Sequence, residues 1–277
     1  TDTVVVISAG NASNWSVAST FGYLIGGLAG ELSLDLSFLL QVVLLVLCGL
    51  GFGLLCSKDH PNAASRPSVS QIAKGANPFS AFIAGRQFMT PLFALLFGVA
   101  LLSMFGSTAY DQCFNYYIKD QFGFPPSANG ILKAAVGTIT FIANSTIASY
   151  LLKKTNIVKT IAPVFMICFA MMISIILLDD IVPFIIMNVV FFGFNAIYQP
   201  MLQSMINMLV EKEKSGILAG LHNSMRSLGM MGGSLLAGFI YAVGPKMAFI
   251  VSAFAFLIAI ICALLMRKKT VTSNLHV

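Results

Sequence analysis

Charge is what this chain lacks most. Asp, Glu, Lys and Arg make up 9% of its 277 residues, against about 25% in soluble domains. So few charges cannot cover a water-facing surface. With 57% hydrophobic residues and a mean hydropathy of +0.88, the solvent of this chain is largely lipid. The five cysteines, Cys48, Cys56, Cys113, Cys168 and Cys262, form no CxxC pair and lie in or at the ends of apolar runs. They read as small apolar packing residues rather than disulfides or metal ligands. There is no HExxH, no GxSxG and no pair of acids at depth. Chemistry at a membrane enzyme's site needs such clusters at fixed spacing, so no enzyme, no metal site and no cofactor is expected, and a multispan membrane enzyme is the remote reading. No signal peptide and no initiating methionine are present; the chain starts Thr1-Asp2-Thr3, as a truncated record would.

What is present is a series of apolar runs, each long enough to cross a bilayer as a helix of about 20 residues. Barrel strands would be shorter and alternating, and these runs are neither. The expectation is an all-α polytopic membrane protein with eight transmembrane helices. The first runs from Ala9 or Trp15 to Glu31, and the next from Leu36 to Cys56, Pro91 to Tyr117 and Ile131 to Leu152. The last four run from Ile161 to Leu178, Val182 to Val210, Gly216 to Ala242 and Met247 to Met266. Ser57–Phe88, with its prolines and its four basic residues Lys58, Arg66, Lys74 and Arg86, is a solvated connector between two bundles.

The net charge of +6 is basic enough for nucleic acid, but its distribution points to membrane topology. The loops containing Lys58 to Arg86, Lys153 to Lys159 and Lys212 to Lys214, with Arg226 and the Arg267–Lys269 end, fall on one side. Only Lys119, Lys133 and Lys246 fall on the other, beside Glu31, Asp35, Asp120, Asp179 and Asp180. The basic side is the cytoplasmic one. Eight spans then put both ends of this chain inside, in a cell membrane.

The stretch Glu211–Tyr241 opens on a charged turn and continues into a glycine-studded apolar run. Gly229 and Gly233 are four apart, hence on one helix side, where a neighbouring helix can approach closely. Gly22 and Gly26 repeat that spacing, and each pair precedes an Ala-Gly dipeptide. Paired half-molecules of this kind are typical of secondary transporters.

In this order and topology the chain resembles the major facilitator superfamily, whose members have two six-helix halves joined by a long cytoplasmic loop. Lys214, Gly216, Asn223, Arg226, Gly229 and Gly233 resemble the family's helix eleven. Ser149–Asn156 resembles a worn G-x-L-x-D-R-x-G loop that keeps Leu151 and the basic run but lacks both glycines and the Asp. Gly22-Tyr23-Leu24-Ile25-Gly26-Gly27 resembles the end of the drug:proton antiporter signature without its proline. The resemblance implies that residues 1–56 are helices five and six, the end of the N-terminal half. Residues 57–90 are then the central loop, 91–269 the complete C-terminal six-helix bundle and 270–277 a cytoplasmic tail. The four helices that would precede them are the missing partner. It also implies alternating access for a small-molecule substrate, with H⁺ as coupling ion.

Asp111 is the only acid well inside an apolar run. A buried charge there costs roughly 2.5–3.5 kcal/mol on insertion scales. It is either a cavity-facing carboxylate that couples transport to H⁺ or meets a cationic substrate, or an outer-end residue wetted by a vestibule. Ser103, Ser107, Asp111 and Asn115 recur every four residues on one flank. Asn188, Asn195 and Gln199 share one face of the sixth helix. Amides there either line a cavity for an uncharged solute or glue helices together. Asn144 is open to the same two readings. Arg226 is expected at an inner gate, paired with Glu211 or Glu213 or capping helix ends, and His222 is expected to be solvated. Phe114, Tyr116 and Tyr117 are weak candidates for an apolar cavity wall. The candidate substrate wall is therefore Asp111, Asn115, Asn144, Asn195 and Gln199, and the moving glycines are Gly22, Gly26, Gly229 and Gly233. The leading expectation is a proton-coupled exporter of drug-like compounds. The alternatives are a proton-coupled importer of sugars, nucleosides or other metabolites, and an inactive fragment of such a transporter.

Overall fold

A computed structural model describes residues 2–55, 89–209 and 215–272. They form eight long helices: α1 Asp2–Leu32, α2 Leu34–Leu55, α3 Pro91–Phe122, α4 Pro126–Lys154, α5 Ile157–Leu177, α6 Ile181–Leu209, α7 Ser215–Val243 and α8 Met247–Thr272. The central connector, Glu211 and Glu213 lie outside the described residues, as does the chain's last stretch.

Local chemistry sets the helix ends. Thr90 caps α3 by accepting from the Phe93 amide at 3.4 Å, with Pro91 at the first helical position, where its missing N–H is no loss. Gly123 ends α3 in the left-handed region, φ 64°, which glycine reaches without a side-chain penalty. The turn from Gly123 to Pro126 is therefore a stop followed by a proline start. Asn156 caps α5, accepting from the Lys159 amide at 3.2 Å.

Six helices are long and apolar enough to cross a membrane: α2, α3, α4, α5, α6 and α8. The other two, α1 and α7, have the length but are diluted by glycine, serine and asparagine. These are also the two helices that pack most closely on a neighbour. α7 lies along α3, and α1 lies along α4. A Cβ on Gly233 would stand 2.6 Å from the Phe105 carbonyl and 3.0 Å from the Ala109 amide, and one on Gly229 would strike the Leu101 carbonyl. The sequence pair Gly229/Gly233 is thus a backbone-to-backbone crossing. The pair Gly22/Gly26 is not, since nothing lies within 4 Å of either Cβ position. α1 meets α4 through Gly27, whose Cβ would fall 2.6 Å from the Cα of Gly130. Gly137 extends that seam against Thr20.

The core sits where α3, α6 and α8 meet. Tyr110, Phe114, Phe184, Phe191, Phe249 and Phe256 are fully buried there, with the Tyr110 and Phe191 rings 4.4 Å apart. Phe114 and Tyr117 belong to this core, while Tyr116 is exposed. Among the described residues α2 leans chiefly on α1, through contacts that include a Ser37 hydroxyl donating to the Gly26 carbonyl at 3.3 Å. None of the apolar window of α2 is buried. Gly22 and Gly26 instead line an open groove of about 540 Å³ between α1 and α2, walled by Phe21, Phe38, Leu44 and Leu45.

Crowding at the α3–α7 crossing has a direct consequence. Gly233→Val in detergent-solubilised protein is expected to lower stability by about 1–3 kcal/mol through overpacking. Gly238→Ala, on the same helix with open space at its Cβ position, is expected to leave the melting temperature unchanged.

Candidate functional site

A polar seam follows α3 between α6, α7 and α4. At the end near the start of α7, Arg226 Nη2 donates to Gln199 Oε1 at 2.9 Å. The sequence expectation paired Arg226 with the acidic turn before α7. Glu211 and Glu213 lie outside the described residues, and the partner described for Arg226 is one of the candidate wall amides. Beside it, Ala100, Met104, Tyr198, Leu202 and His222 close a small pocket. His222 is 1% exposed, not solvated, and its Nδ1 has no hydrogen-bond partner.

One turn further out, the Ser107 hydroxyl can donate to Asn195 Oδ1 at 2.8 Å or to the Ser103 carbonyl of its own helix at 2.7 Å. The Tyr198 hydroxyl, 2.9 Å from Ser107 Oγ, then serves as donor to Ser107. Tyr110 donates to Asn188 Oδ1, and Asn188 Nδ2 donates to the Phe184 carbonyl at 2.7 Å. All three amides on the α6 face are therefore engaged in this conformation, two with α3 and one with α7. Pro200 lies inside α6, where its ring leaves a carbonyl one turn earlier without its usual amide.

The other end of the seam is charged. Lys133 Nζ donates to Asp111 Oδ1. The lysine side chain is only 6% exposed and the aspartate 40%. The ammonium also stands 5.0 Å from the Phe192 ring centre, 5.3 Å from that of Phe114 and 5.8 Å from that of Tyr23. Four helices thus meet at one cation: α3 brings the carboxylate and a ring, α4 the lysine, and α1 and α6 one ring each. Sequence reasoning missed Lys133, counting it only as one of the few basic residues on the outer side. The signal was there: Gly130, Lys133 and Gly137 are spaced i, i+3 and i+7, one face of a helix. A face that two glycines open to a neighbour carries the lysine into that contact.

The remaining candidates lie elsewhere. Asn115, one turn beyond Asp111, is half-buried with an Oδ1 that no donor reaches. Asn144 is buried at the start of a π-helical turn, Asn144–Ala148, that lies against α1 and α6; its carbonyl accepts from Ser149 Oγ at 3.1 Å. Among the described residues, no three His, Cys, Asp or Glu gather closely enough to hold a metal ion.

The model of the Major Facilitator Superfamily matches residues 8–231 and 182–276. This chain belongs to the major facilitator superfamily. Among solved structures, the superfamily fold recurs in one described as the crystal structure of a bacterial homologue of the iron transporter ferroportin in an inward-facing state. The TM-score is 0.52 and the identity 16% over 64% of this chain, which spans 45% of that protein's length. No curated relative matches at comparable significance. Superfamily membership makes α1 to α8 a multi-pass membrane protein.

The amide bonds of α6 are testable as packing. A double-mutant cycle of Tyr110→Phe and Asn188→Ala, followed by reversible unfolding in mixed micelles, is expected to give a coupling of about 0.6–1.7 kcal/mol.

Proposed function

We propose that this chain is the helix-five-to-twelve portion of a secondary-active transporter of small organic solutes that works by alternating access. The observation that carries this reading is the half-exposed Asp111 held by the buried Lys133 at the junction of α1, α3, α4 and α6. A charge pair deep in a lipid-facing chain needs a use. This one sits where the first half's helix α1 crosses α4. A change in the charge of Asp111 would therefore be felt by both halves.

In this reading residues 91–269 form the C-terminal bundle, residues 1–56 end the N-terminal half, and residues 57–90 join them on the cytoplasmic side. The bare face of α2 and the groove along Gly22 and Gly26 receive the preceding helices. Asp111, Asn115, Asn195 and Gln199 wall the substrate cavity on one side, with Asn144 behind the α4 π turn. Arg226 and Gln199 close its inner end. The glycine crossings, Gly27 on Gly130 and Gly229/Gly233 on α3, let backbones slide past one another without side chains interlocking. The charged pair favours a proton-coupled exporter of drug-like compounds, an antiporter in the cell membrane with both ends of this chain inside.

In proteoliposomes holding the full-length protein, Asp111→Asn is expected to abolish substrate movement driven by an imposed pH gradient. Unchanged gradient-driven transport in the variant would remove Asp111 from coupling, and the same assay in inside-out vesicles reads the direction.

A further inference from the structure

Lys133 and Lys246 each meet an aspartate, whereas the partner described for Arg226 is the neutral Gln199 amide. A guanidinium keeps its charge whatever surrounds it, and a charge on a membrane helix calls for a partner. Arg226 is half-buried, three turns into α7 and about 16 Å along its axis from Ser215. One turn earlier on the same face stands His222, 1% exposed, with an Nδ1 that no described group reaches. Both side chains line the same small pocket, whose other walls include Ala100, Met104 and Leu202. A cation and an unpartnered buried ring nitrogen thus face one space with apolar sides.

We infer that this pocket receives the carboxylate of an organic acid, and that Gln199 holds the ligand's place while the site is empty. This rests on the transport reading above and names a substrate class for it. A carboxylate presents two oxygens, enough for the guanidinium fork and an imidazole N–H together. Neutral histidine donates through Nδ1 in one of its two tautomers, so binding requires no proton to be gained or lost. Ala100, Met104 and Leu202 suit an apolar body attached to the acid, which an inorganic anion lacks. As it stands the pocket is too tight for a solute, because the Arg226–Gln199 bond holds α7 against α6. Entry of the acid replaces the neutral oxygen accepting from Arg226 by a charged one, and the charge-assisted bond is the stronger. Gln199 therefore competes with the ligand for Arg226.

The full-length protein in phosphatidylcholine nanodiscs, titrated with radiolabelled benzoate at fixed ionic strength, tests this. Wild type is expected to bind benzoate saturably. Benzamide, the ring without the charge, and chloride, the charge without the ring, should each displace it at least about tenfold less well than unlabelled benzoate. Arg226→Gln is expected to weaken binding more than about tenfold. Arg226→Lys, which keeps the charge but loses the fork, should weaken it less. His222→Ala is expected to weaken it several-fold. Gln199→Ala is expected to tighten it several-fold, a direction that an amide serving only as packing would not give. Thermal unfolding of each variant separates a lost site from a lost fold. No saturable binding by folded wild type, or displacement by benzamide or chloride as good as by benzoate, would overturn the inference. So would unchanged binding by folded Arg226→Gln or His222→Ala, or unchanged or weaker binding by folded Gln199→Ala. Benzoate binding needs no transport. A protein that binds it yet moves no solute would sink the transport reading alone. A gradient-driven transporter with no benzoate site would sink this inference alone.

Discussion

Close approach of helix backbones is the constraint from which the rest of this structure follows. Lipid tails are as apolar as leucine, so helices in a bilayer gain little by merely hiding apolar faces from one another. They associate where small residues let backbones touch. Gly27 on Gly130, and Gly229 and Gly233 on the Leu101–Ala109 stretch, are such places. These contacts fix how α1 lies on α4 and how α7 lies on α3. Tyr23 and Lys133 are one turn or less from the first seam. Arg226 is one turn from the second. The polar groups meet because the glycines bring their helices together.

The same constraint explains why the charged pair is tolerable. An ammonium among Phe114, Phe192 and Tyr23 is far from bulk water, and its carboxylate partner offsets the desolvation only at close range. That range depends on α4 staying against α1 and α3. A shift of α4 away from α1 would open the ring cage on one side and let water reach Lys133. The ion pair and the packing of α4 on α1 and α3 are therefore two readings of one geometry.

Much of the fold was legible from the residues. Lipid-facing composition, run length and loop charge gave eight helices whose ends fall within a few residues of those observed, apart from the earlier start of α1 and α4 and the longer run of α3 and α8. The i, i+4 spacing of Gly229 and Gly233 marked a true crossing, because the helix that carries them is otherwise unobstructed on that face. Gly22 and Gly26 have the same spacing but face an open groove; Gly27, one residue away, makes the contact. Spacing identifies a smooth face and says nothing of which neighbour arrives at it. Asp111 stood out as an intramembrane acid, whereas Lys133, its partner in another helix, did not. Its side chain reaches the acid only once two helices have docked. The burial of His222 and the π turn at Asn144 are likewise products of packing, with no local pattern to announce them.

The account's central claim is that two groups of helices rock about the α1–α4 seam. Spin labels on exposed Leu47 of α2 and exposed Leu177 of α5, in the full-length protein in nanodiscs, would report on it through pulsed electron–electron distance measurements. Two distance populations whose weights shift between pH 6 and pH 9 are expected for a gate that opens to alternate sides. One distance, indifferent to pH, would contradict it.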